Sequence, residues 1–173
     1  NENIIISCSN VHNNNHDFLT LSSYETNNNQ IDDCHTSGKL YSSYQTDIFN
    51  DNVISNSSGK NADWIDIDNC LEFSSNSIHS NIVSSSGLIY LSGPSDANEG
   101  SLSFNNNEII SCQSGNRSIV QLDRSKNIKH NTFENIFSSV EGSVTGVIGE
   151  GVAATCNPVL GWIGSLTNIS PSS

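Results

Sequence analysis

The densest run of reactive side chains is Asp63-Trp64-Ile65-Asp66-Ile67-Asp68. Alternate residues of a strand share a face, so with Ile65 and Ile67 turned inward, Asp66 and Asp68 project together, about 7 Å apart. At matching offsets, neighbouring coils of a repeating chain supply Ser43 and Gln45, Tyr90 and Ser92, and Gln121 and Asp123. The candidate ligand-binding strip is therefore Asp66, Asp68, Tyr90, Gln121 and Asp123. Carboxylates in this arrangement suit a sugar chain or a calcium ion, a hard cation that takes oxygen ligands. Paired carboxylates are also what glycoside hydrolysis requires. No Lys or Arg belongs to the strip, and Arg117 and Arg124 stand only at its margin. A plain solvated strand face is the first reading of the strip, binding comes next and ahead of turnover, and no catalytic residue is assigned.

Other chemistries find little support. His12, His16, His35, His79 and His130 share no offset, and no Ser/His/Asp order or nucleophile elbow occurs. Gly146 to Gly151 lacks the Lys-Ser/Thr sequel of a phosphate loop. The five Cys include no C-x-x-C pair, which argues against a thiolate metal site. No cofactor is expected beyond calcium. Sequons begin at Asn56, Asn116 and Asn168. Asn116 and Asn168 are the glycosylation candidates, whereas Asn56 falls near a position expected to point inward.

The elements that position the strip repeat. Phe49-Asn50-Asp51-Asn52, Phe73-Ser74-Ser75-Asn76 and Phe104-Asn105-Asn106-Asn107 each read F-x-x-N. Fifteen, sixteen and eighteen residues after each Phe stand Trp64, Ile65 and Ile67, then Leu88, Ile89 and Leu91, then Ile119, Val120 and Leu122. A constant inner segment with variable insertions is the mark of a solenoid. Short β-rich runs between Asn, Ser and Gly turns predict strands, and no helical period is sustained. The expected fold is all-β, a right-handed parallel β-helix of about six coils, 23–31 residues each, with three strands per coil. Coils should occupy 1–140, with 141–173 a cap, junction or tail. Gly93 to Gly100 reads as a loop leaving one corner. The sixth coil is expected to begin near Phe133, with Ile136 in place of the turn Asn. Eight residues after each Phe-equivalent, Cys8, Cys34, Asn81 and Cys112 form a second small inward ladder, with Asn56 the nearest match in its coil. Cys8 and Cys34 could pair there in an oxidising compartment, although parallel stacking does not favour the bond's geometry.

Only 34% of the chain is hydrophobic and the net charge is −12. So few apolar residues suffice only when they fall in register. Six Lys and Arg cannot supply a phosphate-contacting surface, which excludes nucleic acid as a direct partner. No stretch qualifies as a membrane span, since Glu150, Asn157, Pro158 and several Gly interrupt the most apolar region. The chain begins with Asn inside a repeat and reads as a piece of something longer.

The three F-x-x-N turns resemble those of the polymorphic membrane protein family of surface adhesins and autotransporter passengers, without that family's companion G-G-A-[ILV] motif. The resemblance implies a β-helical stalk at the cell surface or outside the cell, engaged in adhesion rather than catalysis. The expected function is accordingly an extracellular structural or adhesive stalk, a glycoprotein able to assemble end to end into a filament. Its partners would be itself or host and matrix glycans. The alternative is a polysaccharide lyase, glycoside hydrolase or non-catalytic glycan-binding module using the acidic face.

Overall fold

Each F-x-x-N motif makes a corner because of where its residues point. The Phe and the Asn turn inward, and the residue before the Asn takes a left-handed backbone conformation. Asn28, Asp51, Ser75, Asn106 and His130 have φ of 55 or 56°. Five residues on, Asp33, Asn56, Ser80, Ser111 and Asn135 repeat this with φ of 50 to 56°. Such φ values are costly for residues with a Cβ, and Asn and Asp tolerate them best. One left-handed residue between two extended segments turns the chain without a long loop. Turns therefore come in pairs, five residues apart, in coil after coil.

The computed structural model describes residues 3–6, 9–10, 17–60, 63–96, 101–115, 117–138, 144–145 and 156–157, the first two and last two stretches through their backbone. Among them there is no helix. Parallel strands stack as a β-solenoid of about five turns with four walls. Wall one holds Asn3–Ile6, Asn29–Asp32, Val53–Ser55, Ser77–His79, Glu108–Ile110, Thr132–Glu134 and Cys156–Asn157. Wall two runs from Ser9–Asn10 through Ser58–Gly59 to Phe137–Ser138. Wall three includes Tyr41–Ser43, Ile65–Ile67, Ile89–Ser92, Val120–Asp123 and Val144–Thr145. Wall four includes Ser23–Asn27, Thr46–Asn50, Glu72–Ser74, Leu102–Asn105 and Ser125–Lys129. The expectation of three strands per coil is thus corrected to four. The pair of kinks splits off wall two, whose strands are two residues long and carry no strand-like alternation to read.

The interior is built of like upon like. Ile31, Ile54, Ile78, Ile109 and Phe133 are successive partners on wall one. Tyr41, Ile65, Ile89 and Val120 align on wall three, as do Ile67, Leu91 and Leu122. All of these side chains are buried. Phe49, Phe73 and Phe104 stack nearly parallel, with ring centroids 5.0 and 5.4 Å apart. Thr26 precedes this stack and Ile128 follows it. The last described coil therefore opens at Ile128, not at Phe133. Asn131 is its turn Asn, Phe133 belongs to the wall-one ladder, and Ile136 falls at the second corner. An aromatic residue alone could not show which ladder it had joined.

Beside the Phe stack runs a buried Asn ladder at the first corner, between walls four and one. Asn76 shows its logic. Its Oδ1 accepts from Asn52 N and Nδ2, both at 3.0 Å. Its Nδ2 donates to Asn107 Oδ1 at 3.1 Å and to the Phe49 carbonyl at 2.9 Å. Asn52, Asn107 and Asn131 repeat the bond to the carbonyl three residues before the Asn of the preceding coil. All four hydrogen-bonding positions of the Asn76 side-chain amide are filled, as a buried amide demands.

The second corner, between walls one and two, is occupied by Cys34, Ser57, Asn81, Cys112 and Ile136, all buried. Ser57, not Asn56, takes the inward place, and Asn56 is the exposed kink residue. The sequence misled by one position because an Asn can serve either as kink or as ladder. Cys34 is disulfide-bonded, while Cys70 and Cys112 are free. Wall-one and wall-two partners on either side of it, Ile6 with Asp32 and Ser9 with His35, are offset by 26, the sequence separation of Cys8 from Cys34. Cys8 itself lies outside the described residues.

The insertion leaves between walls three and four. Ser92 pairs with Asp123 and Leu102 with Ser125, so the insertion adds eight residues between these pairs, and the register shifts by one between Leu102 and Ser103. Of the insertion, 97–100 lie outside the described residues.

Candidate functional site

Wall three carries the sequence-predicted strip on its outer side. Register brings Asp66, Tyr90 and Gln121 together as consecutive partners, with Asp123 beside Ser92. In the second turn, Ser42 and not Ser43 stands opposite Asp66, and Ser43 lies opposite Ile67. Counting from Phe49 could not reveal this, because the second coil is one residue shorter. Asp68 follows the strand and donates its backbone N–H to the Ser43 carbonyl at 2.9 Å.

The strip is less free than its composition implies. Lys39 Nζ donates to Asp66 Oδ2, and the two side chains are 29% and 18% exposed. The expectation of a strip without a basic neighbour is therefore corrected: Lys39, one turn before, occupies it. Lys39 escaped the sequence reading because it lies 27 residues from Asp66 and outside the repeat's strand. Burial pushes the Asp66 carboxyl above its ordinary value, against the opposing pull of Lys39. Burial works against the Lys39 ammonium too, but its hydrogen bond to Asp66 and the charges of Asp66, Asp17 and Asp63 hold its pKa above normal.

Tyr90 donates its hydroxyl to Asp123 Oδ2 at 2.8 Å. That bond, with burial and the charges of Asp123, Asp68 and Asp66 behind it, pushes the Tyr90 pKa up to about 12. Asp63, at the wall's leading edge, accepts from Arg117 Nη1 at 2.6 Å, from Ser86 Oγ at 2.9 Å and from Gly87 N at 3.2 Å. Arg117 reaches across a whole turn to do so. Gly87 lies in between, and a Cβ there would meet the Ser118 carbonyl at 2.9 Å and Asp63 Oδ1 at 3.0 Å.

What remains is a polar face on which the carboxylates of Asp63, Asp66 and Asp123 are engaged. Among the described residues no group of three or more His, Cys, Asp or Glu comes together to hold a metal ion. His35 and His79 each meet a carboxylate, Asp33 at 3.3 Å and Glu108 at 3.7 Å, on exposed surfaces. The thiols of Cys70 and Cys112 are buried, and burial pushes their pKa up to about 12 and about 11, away from the reactive thiolate. Asn116 and Asn168 lie outside the described residues. No described helix is long and apolar enough to cross a membrane.

Comparison with known proteins adds no relative: no family model matches the chain, and neither the curated proteins nor the solved structures contain a match.

Proposed function

We propose that the chain forms part of an extracellular stalk, a right-handed β-helix of about six coils that serves structure or adhesion and joins end to end into filaments. The observation that carries this reading is the continuity of the interior. Asn29 through Asn131 and Ile31 through Phe133 run unbroken through five successive turns, and the long insertion after Ser92 leaves from a corner. Such a body gains length by repetition and offers flat walls rather than a cleft. Right-handed winding follows the strong preference of parallel crossovers. The Cys34 disulfide accords with an oxidising compartment outside the cytosol. The F-x-x-N resemblance to surface adhesins points the same way. Backbone groups at each end of a parallel stack can pair with another copy.

Polysaccharide cleavage is the weaker reading. Asp66 is bound by Lys39 and Asp123 by Tyr90, so the two carboxylates best placed for acid–base work are already engaged. Calcium belongs to the proposal only as a bridge at wall three or between molecules. Electron microscopy of concentrated protein tests the whole: filaments should appear with an axial repeat of about 25–30 Å, the rise of five or six coils. Isolated monomers together with polysaccharide turnover that Asp66→Asn abolishes would overturn the stalk.

A further inference from the structure

Three of the six large hydrophobic side chains exposed on the described surface gather at one place. Leu21, Tyr24 and Tyr44 are 44%, 69% and 73% exposed and belong to the first two turns, where wall three bends into wall four. The strands there are in register, Ser23 opposite Thr46, with Ser23 N donating to the Gln45 carbonyl at 3.2 Å. Ser22, Ser23, Tyr24 and Gln45 line a shallow open depression there, and Leu21 and Tyr44 are the chain neighbours of Ser22 and Gln45. The other exposed apolar residues, Val53, Ile82 and Phe137, lie on walls one and two.

We infer that this corner is a binding platform for a neutral glycan chain. A tyrosine ring offers a broad, rigid, amphipathic face at small entropic cost, and an exposed patch of such faces marks an interaction surface. Sugar C–H groups lie on the ring faces, while the hydroxyls of Ser22 and Ser23 and the Gln45 amide answer sugar hydroxyls. Charge selects the class. Glu25 and Asp47 flank the site, and Lys39, the only Lys or Arg before residue 60, is committed to Asp66. Acidic sugars are therefore repelled with no cation to receive them. An open depression beside a repeating wall suits an extended chain rather than a small molecule. The inference rests on the adhesive reading of the stalk and supplies its ligand class. It also moves the contact from the strip, where Asp66 and Asp123 are engaged, to the corner beyond Asp68.

The test is binding of the full chain to immobilised neutral glucan, mannan and N-acetylglucosamine oligosaccharides, with polyuronate and sulfated chains alongside. Wild-type protein should retain at least one neutral series and no acidic one. Tyr44→Ala and Tyr24→Ala should each weaken binding about tenfold, the loss of an aromatic anchor. Tyr44→Phe should stay close to wild type, as should Ile82→Ser on wall two. Melting curves identify any variant that fails to fold. Absence of neutral binding, preference for acidic chains, or equal binding by Tyr44→Ala would overturn the platform. Filament formation, which neither tyrosine should affect, is the separate readout of the stalk. Intact filaments without glycan binding strike the platform alone.

Discussion

The two corners that flank wall one share a backbone and differ in what fills them. Both turn through a single left-handed residue, and both send the next side chain inward. At the first corner that side chain is Asn in Asn29, Asn52, Asn76, Asn107 and Asn131. At the second it is Cys34, Ser57, Asn81, Cys112 or Ile136. The difference lies in how many polar atoms depend on it. Asn76 serves the backbone N–H and side-chain amide of Asn52, the Phe49 carbonyl and Asn107 Oδ1. Asn81 serves the Ser57 N–H and the Ile54 carbonyl. Where Cys112 replaces it, the thiol reaches the Ile78 carbonyl at 3.4 Å. A corner with few dependent groups accepts polar and apolar residues of different sizes, while one with four requires the same amide in every coil.

Breaking the two corners should therefore cost unequal amounts. Asn76→Ala leaves buried donors and an acceptor without partners and should lower stability by about 3 kcal/mol or more. Asn76→Asp should be worse, since its carboxylate would face the Phe49 carbonyl and Asn107 Oδ1. Asn81→Ala should lose about 1–2 kcal/mol. Urea denaturation of the three variants decides it, and equal losses at both corners would refute the account.

The third coil sharpens the comparison from the packing side. Gly59 lies under the Trp64 ring, where an added Cβ would come within 2.4 Å of Trp64 Cδ1. Its wall-two partner in the next coil is Val83, and Leu88 stands there where Trp64 does here. Trp64 Nε1 is buried without a hydrogen-bond partner, which adds to the cost of keeping the ring. Gly59→Val should destabilise by about 1–3 kcal/mol through overpacking. Adding Trp64→Leu should recover much of that loss. A double-mutant cycle measures the coupling, and simple additivity would count against the packing argument.

Backbone strain, by contrast, should be the same at both corners. Ser75 and Ser80 have φ of 55 and 56°. Ser75→Gly and Ser80→Gly should each relieve about 1 kcal/mol of left-handed strain, partly offset by the freedom glycine adds to the unfolded chain. Thermal melts should show small, similar gains. The smallest effect lies on wall three. The Tyr90 hydroxyl titrates at about 12 in the folded chain against an ordinary 10.0, so the folded state holds its proton more tightly. Its contribution to stability is complete below pH 10 and lost as pH rises towards 12. Asp123→Asn should lower that ionisation in an absorbance titration of the tyrosines.

Much of this molecule was legible in the chain. The offsets from Phe49, Phe73 and Phe104 located the inner residues of wall three, and Asn52, Asn76 and Asn107 lie beside the Phe stack as their spacing implies. Misreadings fell where one residue type can play two parts. Asn56 resembles a ladder Asn but is a kink, and Phe133 resembles a coil opener but extends an isoleucine ladder. Two-residue strands on wall two are too short for alternation to mark.

Sequence by itself determined the stacking, because in a parallel solenoid every coil must present the same side chain at the same place, and repetition is visible without coordinates. Only the tertiary structure decided which charges meet. Lys39 reaches Asp66 and Arg117 reaches Asp63 across turns, through contacts 27 and 54 residues apart that no repeat position encodes. Ladders depend on periodicity, whereas ion pairs depend on where the irregular segments between strands bring their side chains.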